Sequence, residues 1–456
     1  MRKQSSIAMA VIVLLGSGPA LAADVSEDVQ ALKQELAAQR KLIEELLAKQ
    51  QAQAPKSPTD TSELQQQLRE REKGAIAAPT PTRPENPATP QFKFYGIADV
   101  SINQANSGFG PKTRLEGTGG FSNSRLGAQM TSTVGQVKVT ALAEAGVQFD
   151  TGEAGNATPA TGANVSTPSS GGTLGTGSQV FSRQAWAGID AGFGQISIGR
   201  QYAGSYFMMG AIGSAHGDGL YGNLTSLLPV VGGMPTRLNS SIAWSTPQVA
   251  NFRGQFTYST GSENNVHGNV VTGATTISSK SGQGFDLTGV YAYAKGQAAV
   301  STWNLKNATF VTAGETAIAT KKGYQLAANY DFGAFQIFGD FIHGTISGGD
   351  YQNVTKTLSS ATGYGASVIV PFGKSKFSAG WTRLNDMSQL NKDATLYGVS
   401  YWYELTPNAM LYATAGKTIN NHNASYSLLD GGNLDGNVAR VGFHPNGVEG
   451  GMNYRF

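Results

Sequence analysis

The sequence predicts an all-β membrane protein, a 16-stranded antiparallel transmembrane β-barrel preceded by a short α-helical coiled coil. Three observations predict this class. The final segment, 447–456, places Val448, Met452, Tyr454 and Phe456 on one parity and polar side chains on the other, as a strand between lipid and water requires. The chain begins with the pattern of a secretory signal, and no later run approaches the ~20 apolar residues that a membrane helix needs.

The composition excludes several other classes. The 456 residues are only 40% hydrophobic and include 59 glycines, a balance that favours many short strands over a bundle of membrane helices. The chain has no cysteine, so disulfides, thiolate metal sites and thiol nucleophiles are excluded. The formal net charge is +3. Any preference for charged partners must therefore come from the local placement of charged residues.

The chain divides into four predicted segments, 1–22, 23–53, 54–90 and 91–456. In the first, two basic residues precede an apolar run that ends in small residues, which predicts a signal peptide. In the third, a short helical patch is followed by five prolines within twelve residues, which predicts an extended spacer. The fourth is the predicted barrel. The segments before it are expected in the periplasm.

The second segment, 23–53, carries a heptad pattern flanked by Glu, Lys and Gln. Its seam positions step by alternating fours and threes through Val25, Val29, Leu32, Leu36, Gln39, Ile43 and Leu46. The pattern predicts a self-associating coiled coil, and its polar seam residue leaves the number of helices open. A single amphipathic helix lying on its own barrel is the alternative.

From residue 91 onward, strand-like stretches are separated alternately by short and long connections. Seven tight turns are predicted from their Gly, Pro, Asn and Asp residues, at 134–135, 190–192, 247–250, 295–296, 331–333, 371–373 and 406–408. Eight long loops are predicted near 103–122, 150–178, 202–238, 261–282, 306–320, 344–360, 385–392 and 418–446. These connections join sixteen strands, enough to enclose a water-filled lumen, and one hairpin more or fewer would give 18 or 14.

Alternation within the strands predicts which side chains face the lumen. In 136–149 the odd-numbered positions are apolar, whereas Lys138 and Glu144 share the even-numbered face, so the even face must line water. In 123–133 the same argument sends Leu126 outward and Arg125 into the lumen. The sequence therefore predicts a charged lumen inside an apolar outer surface.

Seven short motifs follow one another along the barrel segment: Phe94-Tyr95-Gly96, Ser124-Arg125-Leu126-Gly127, Phe181-Ser182-Arg183-Gln184-Ala185-Trp186-Ala187-Gly188, Gly192-Phe193-Gly194, Gly199-Arg200-Gln201-Tyr202, Tyr330-Asp331-Phe332-Gly333-Ala334 and Asn453-Tyr454-Arg455-Phe456. In this order and spacing they resemble the general trimeric porins of Gram-negative outer membranes, especially the beta-proteobacterial branch. The resemblance covers most of 92–456 and none of the preceding segment. It implies a homotrimer in which each barrel has its own pore, narrowed by an inward-folded third loop, here Ala203–Thr236.

The resemblance also implies a constriction where arginines on the barrel wall face acidic side chains on the third loop. By motif and spacing, the basic wall positions are Arg125, Arg183 and Arg237. The loop departs from the family pattern, because a valine stands where members often carry a glutamate and one carboxylate remains in the loop. The residues expected on this loop are Met208, Met209, His216, Asp218, Leu227, Leu228, Val230 and Val231.

Arginines opposed by apolar side chains leave a net positive throat, and two functions remain open. One is an outer-membrane porin for passive diffusion of small hydrophilic solutes, with a preference for anions. The other is a channel selective for organic acids, aliphatic or aromatic carboxylates, in which arginines hold the carboxylate and the apolar loop contacts the hydrocarbon.

Other functional classes find no matching motif. The sequence has no His-Glu-x-x-His, no Gly-x-Ser-x-Gly and no ligand-spaced pair of histidines, so we expect no enzyme, no metal site and no cofactor. An adhesin is disfavoured because the coiled coil joins the periplasmic side. Tethering to the cell wall through that coil remains a secondary hypothesis. The expected partners are outer-membrane lipid and lipopolysaccharide, two further copies of the chain and small anionic solutes, but no nucleic acid.

Overall fold

The computed structural model describes residues 90–116, 120–150, 152, 180–215, 234–261, 282–312, 315–348, 359–428 and 439–456. The chain divides into two compact units, Met1–Thr61 and Ser62–Phe456, and every described residue lies in the second. The predicted signal peptide, coiled coil and nearly all of the proline-rich spacer lie outside the described residues. Within those residues no helix is long and apolar enough to cross a membrane, a finding that does not bear on crossing by strands.

The described chain is almost entirely strand. Its seventeen strands are β1 Gln91–Asn106, β2 Pro111–Glu116, β3 Arg125–Val134, β4 Val137–Gly146, β5 Gln184–Asp190, β6 Gln195–Tyr202, β7 Arg237–Ser245, β8 Phe252–Ser259, β9 Gly284–Tyr293, β10 Gly296–Thr312, β11 Glu315–Asp331, β12 Gln336–Ser347, β13 Ser360–Phe372, β14 Ser375–Asp386, β15 Ala394–Thr406, β16 Ala409–Asn420 and β17 Asn446–Arg455. All of them join one antiparallel sheet.

The sheet closes on itself as a barrel. β2 and β3 lie end to end along one side of β1, where β2 pairs with residues 101–106 and β3 with residues 91–97. The other side of β1 pairs with β17, from Ile97 opposite Arg455 to Asn106 opposite Asn446. Because β2 and β3 together occupy one strand position beside β1, the barrel has sixteen positions, and the predicted 16-stranded barrel is confirmed. A closed sheet has no free edge strand, which is how a β-sheet satisfies its backbone groups in lipid.

All seven predicted tight turns are present between consecutive strands. Two of them use the same chemistry, since Asp190 and Asp331 each accept a hydrogen bond from the N–H of the glycine two residues later, at 3.1 and 2.7 Å. Those glycines, Gly192 and Gly333, have φ of +90° and +88°, where side chains are strained. The aspartate–glycine spacing therefore fixes both hairpins locally.

The prediction of a long loop over 306–320 is wrong. The β10–β11 ladder continues through this region, with Lys306 opposite Thr320 and Phe310 opposite Thr316. Both arms are rich in threonine and other residues that favour strands, and a short connection suffices once the ladder extends. The neighbouring ladders end earlier, so this hairpin rises above β9 and β12.

The outward face is an apolar band with aromatic rings towards both ends of the strands. Exposed aromatic side chains near the short turns are Phe193, Phe332, Phe335, Phe372, Phe377 and Phe456. A second exposed group lies nearer the long loops and consists of Tyr324, Tyr364, Trp381 and Tyr397. Aliphatic side chains such as Val300 and Val399 lie between the two groups. This distribution matches the two aromatic girdles of a barrel in a membrane.

The inward face is polar over most of its area and apolar in one region. As predicted, Leu126 is exposed on the outer surface, whereas Glu144 is buried inside the barrel. Near the long loops, inward side chains of several strands form an apolar cluster in which Trp303, Ile342 and Leu384 are each no more than 1% exposed. The third long loop packs against this cluster, so the interior supports an inserted segment.

Candidate pore constriction

The third long loop joins β6, which ends at Tyr202, to β7, which begins at Arg237. Its two ends meet, because the N–H of Ala203 donates to the carbonyl of Thr236 at 3.1 Å. A short helix, α1 (Gly204–Met208), is followed by a π-helical turn over Met209–Gly213. Several predicted loop residues lie outside the described residues, namely His216, Asp218, Leu227, Leu228, Val230 and Val231, and so do the side chains of Met208 and Met209.

Polar groups of β9, β11 and β13 hold this loop inside the barrel. Oδ1 of Asp286 accepts a backbone N–H in the first turn of α1 at 3.2 Å. Nδ2 of Asn329 donates to the carbonyl of Ile212 at 3.2 Å, and Oγ of Ser367 accepts the N–H of Ala215 at 2.8 Å. These bonds fix the loop along the inner wall from β9 to β13.

Two glycines let the loop approach the wall closely. A Cβ on Gly213 would lie 2.2 Å from Oδ2 of Asp340 on β12, and a Cβ on Gly204 would lie 2.6 Å from Oγ1 of Thr288 on β9. Between them Ile212 is 2% exposed and packs against inward side chains of β9, β10 and β11. The contact is therefore tight at both polar and apolar points, as in a protein core.

Two of the three predicted wall arginines meet at the base of the loop. Arg183 precedes β5 and Arg237 begins β7, and Nη2 of each donates to the hydroxyl of Tyr202 at 2.5 Å. Nε of Arg183 also donates to Oε1 of Glu144 at 2.7 Å, and Oε2 of Glu144 accepts from the hydroxyl of Tyr95 at 2.8 Å. The structure therefore brings together residues of β1, β4, β6 and β7.

Aromatic rings of the loop cover these arginines. Cζ of Arg237 lies 4.2 Å from the centroid of the Tyr202 ring. That ring stacks on Tyr206 at 5.7 Å and meets Phe207 edge-on at 4.5 Å. Arg183 and Arg237 are consequently each 1% exposed. The sequence did not reveal this burial, because it follows from where α1 docks.

The cluster carries more positive than negative charge. Arg200 lies half-buried beside it, and its guanidinium repels those of Arg183 and Arg237. Arg125, also half-buried, adds a further positive charge near Glu144. Within the described part of the chain, Glu144 is the one carboxylate paired with this group. Among the described residues, Nη1 of Arg183 and both Nε and Nη1 of Arg237 find no hydrogen-bond partner.

A second inward segment, residues 120–124 between β2 and β3, was not expected from the sequence. Its Phe121 packs on Trp402 of β15 at 5.8 Å and on Tyr412 of β16 at 6.0 Å between ring centroids. Both partners face the lumen and are at most 5% exposed. Because Trp402 lies four residues before the end of β15, the segment occupies the half of the lumen nearer the short turns.

Buried polar groups of β1 and β16 anchor this segment. Asp99 is fully buried and accepts hydrogen bonds from the N–H of Ser122 at 2.7 Å and from the hydroxyl of Tyr412 at 2.6 Å. The same hydroxyl accepts the N–H of Gly120 at 2.8 Å. The one sequence feature that could have indicated this inward segment is Phe121, the single large side chain within the run Gly-Thr-Gly-Gly-Phe-Ser-Asn-Ser.

The arrangement positions charged and aromatic groups along a lumen. Among the described residues, no three His, Cys, Asp or Glu side chains come together as ligands for a metal ion. The charged groups are instead held rigidly in the wall by hydrogen bonds and packing. Such fixed charges act on solutes that pass through the barrel.

Comparisons with known proteins agree with this architecture. The sequence matches the family model of Gram-negative porins over residues 74–423, whereas a search among curated proteins gives no match. The anion-selective porin from Comamonas acidovorans superposes with a TM-score of 0.62 at 17% identity, covering 81% of this chain and 100% of that chain. The trimer form of in-vitro folded OmpT, an outer membrane protein of Vibrio cholerae, gives 0.55 at 15% identity, covering 80% and 99%.

The structural likenesses, at such low identities, concern the fold. The family match is a separate result, because it rests on the sequence and extends over more than half of the chain. The closed sheet, the apolar outer band and the inward third loop agree with this family. The chain therefore belongs to the Gram-negative porin family and forms a channel in the outer membrane.

Proposed function

We propose that this channel passes small hydrophilic solutes by passive diffusion and prefers anions. The observation that carries the proposal is the cluster at the base of the third loop, where Arg183 pairs with the one carboxylate, that of Glu144, and Arg125 and Arg237 add two further positive charges. Charges held in a wall of low dielectric are weakly screened, so they lower the energy of a passing anion and raise that of a cation. The description of the Comamonas protein as anion-selective supports the proposal.

The reversal potential across a planar lipid bilayer in a KCl gradient tests this proposal. We expect the potential to have the sign of chloride preference, and we expect Arg237→Gln to reduce it because the cluster loses one positive charge. Arg383→Gln is the matched control, since Arg383 lies on the outward face of β14 and pairs with Asp393 at 3.1 Å. A cation-preferring wild-type channel would overturn the proposal.

We further propose that three barrels associate in the outer membrane, among lipid and lipopolysaccharide. Strands β5 to β8 have only 7 to 9 residues and carry exposed apolar side chains on their outward face, which suits a neighbouring barrel or lipid. The Vibrio protein is described in a trimer form. The predicted N-terminal helices of the three chains would then associate as a three-stranded coiled coil in the periplasm. Contact of this coiled coil with the cell wall would be a secondary role.

The mass of the detergent-extracted complex tests the oligomer. We expect a trimer for the full chain and a less heat-resistant trimer after removal of 23–90. Trimers of unchanged heat resistance would show that the coiled coil is not needed for assembly. A monomeric full-length protein would contradict the trimer itself.

A further inference from the structure

We infer that the inward segment 120–124 forms a second selectivity element, a subsite that binds aromatic carboxylates between Phe121 and two arginines. The inference rests on the proposed function and adds a substrate class to it. It concerns the half of the lumen nearer the short turns, with Arg125 lying between this segment and the arginine cluster under the third loop.

The register of β1 forces this segment out of the sheet. β2 ends with Glu116 opposite Ser101, and β3 begins with Arg125 opposite Ile97. The eight residues 117–124 therefore connect positions that only three residues of β1 separate. The connection is therefore longer than the gap it spans, and its extra residues cannot all pair with β1. Contacts of Phe121 with inward rings of β15 and β16 show that the described part of the segment turns into the lumen.

The anchors make the segment a fixed part of the wall. Asp99 accepts from the Ser122 N–H, and its own backbone N–H donates to Oγ of Ser124 at 2.9 Å. That same Oγ donates to the carbonyl of Asp99 at 2.8 Å. Asn453 of β17 donates from Nδ2 to Asp99 Oδ2 at 2.6 Å. Hydrogen bonds to a buried carboxylate are strong, so Phe121 is held in one position.

The chemistry around Phe121 combines an aromatic face with positive charge. Its ring is half-buried, and Cζ of Arg455 lies 5.9 Å from the ring centroid. Arg125 reaches the same segment, with Nη2 2.6 Å from Oγ of Ser122. The nearby carboxylates of Asp99 and Glu449 are at most 3% exposed. They are engaged in hydrogen bonds within the wall.

This combination selects a ligand with a ring and a carboxylate on opposite ends. A guanidinium recognises a carboxylate through paired hydrogen bonds, and an aromatic ring stacks on Phe121 more favourably than a saturated ring of similar size. An aliphatic acid can form the hydrogen bonds to the arginines but cannot stack on Phe121. The subsite therefore ranks aromatic above saturated carboxylates of equal charge.

The test is inhibition of chloride current through the purified full-length protein by benzoate, cyclohexanecarboxylate and acetate. For the wild type we expect benzoate to inhibit about two- to thirteenfold more strongly than cyclohexanecarboxylate, the range given by an aromatic pair. Phe121→Leu keeps an apolar side chain on Trp402 and should bring the two ring acids to equal inhibition. Phe109→Leu, in the exposed β1–β2 connection, is the matched control and should behave like the wild type.

Two outcomes would overturn the inference. One is equal inhibition by the two ring acids in the wild type, which requires no variant to fold. The other is an unchanged benzoate preference in Phe121→Leu. Reversal potentials separate these outcomes from failure of the proposed function. A chloride-preferring channel without benzoate preference contradicts the subsite alone, whereas a cation-preferring wild type contradicts the proposed function.

Discussion

Replacing Glu144 by glutamine isolates the one negative charge of the arginine cluster. The carboxylate is 3% exposed and accepts from Nε of Arg183 at 2.7 Å and from the hydroxyl of Tyr95 at 2.8 Å. Glutamine has nearly the same shape and keeps one acceptor oxygen, so the barrel should still form. The change removes the charge and leaves Arg183 without its counterion. Glu144→Gln should therefore make the channel more anion-preferring and less stable.

The magnitude follows from the two hydrogen bonds and from Coulomb's law. Each bond to a carboxylate contributes about 1.5–3 kcal/mol and a neutral bond about 0.5–1.5 kcal/mol, so weakening both bonds makes unfolding easier by about 2–3 kcal/mol. For an ion about 10 Å away, removing one negative charge favours an anion by about 0.4 kcal/mol at a dielectric of about 80 and about 1.7 kcal/mol at about 20. These energies correspond to about a two- to eighteenfold change in partitioning.

The assay is the reversal potential of wild type and Glu144→Gln in a KCl gradient, at low and high salt. We expect a shift towards chloride that shrinks near 1 M salt, where the screening length is about 3 Å. Glu404→Gln is the matched control, because it removes a carboxylate from the more exposed pair with Lys376 at the side of the short turns. A folded Glu144→Gln channel with an unchanged potential, or one shifted towards cations, would refute the electrostatic reasoning.

Three further perturbations test the two inward segments. Asp99→Ala removes the acceptor shared by Ser122 and Tyr412, so we expect a loss of about 3–5 kcal/mol in urea unfolding and a higher single-channel conductance; unchanged values would show that the segment is not anchored there. Gly213→Ala places a Cβ 2.2 Å from a side-chain oxygen of Asp340, so the loop must shift and the conductance should change, whereas identical conductance would contradict the close contact. Tyr202→Phe removes the hydroxyl that two arginines share, and its unfolding free energy should fall by about 1–3 kcal/mol, measured against Tyr397→Phe on the outer surface.

The sequence alone was sufficient for the barrel, because the properties that define it are local. Alternation in 123–133 assigns faces from one residue to the next, and Asp190 and Asp331 fix their hairpins through bonds to glycines two residues away. The same local evidence misjudged 306–320. There, strand-favouring residues extend a ladder that length and loop composition had assigned to a connection.

The sequence by itself predicted a closed sixteen-stranded sheet with a charged lumen, and the family resemblance implied wall positions for Arg125, Arg183 and Arg237. Only the tertiary structure decided which of them meet water. Burial of Arg183 and Arg237 depends on a loop helix that is docked against β9, and the position of Phe121 depends on Trp402, which lies in a strand far along the chain. Strand periodicity cannot predict such contacts. The third loop and residues 120–124 pack on an interior surface that exists only once the barrel has closed.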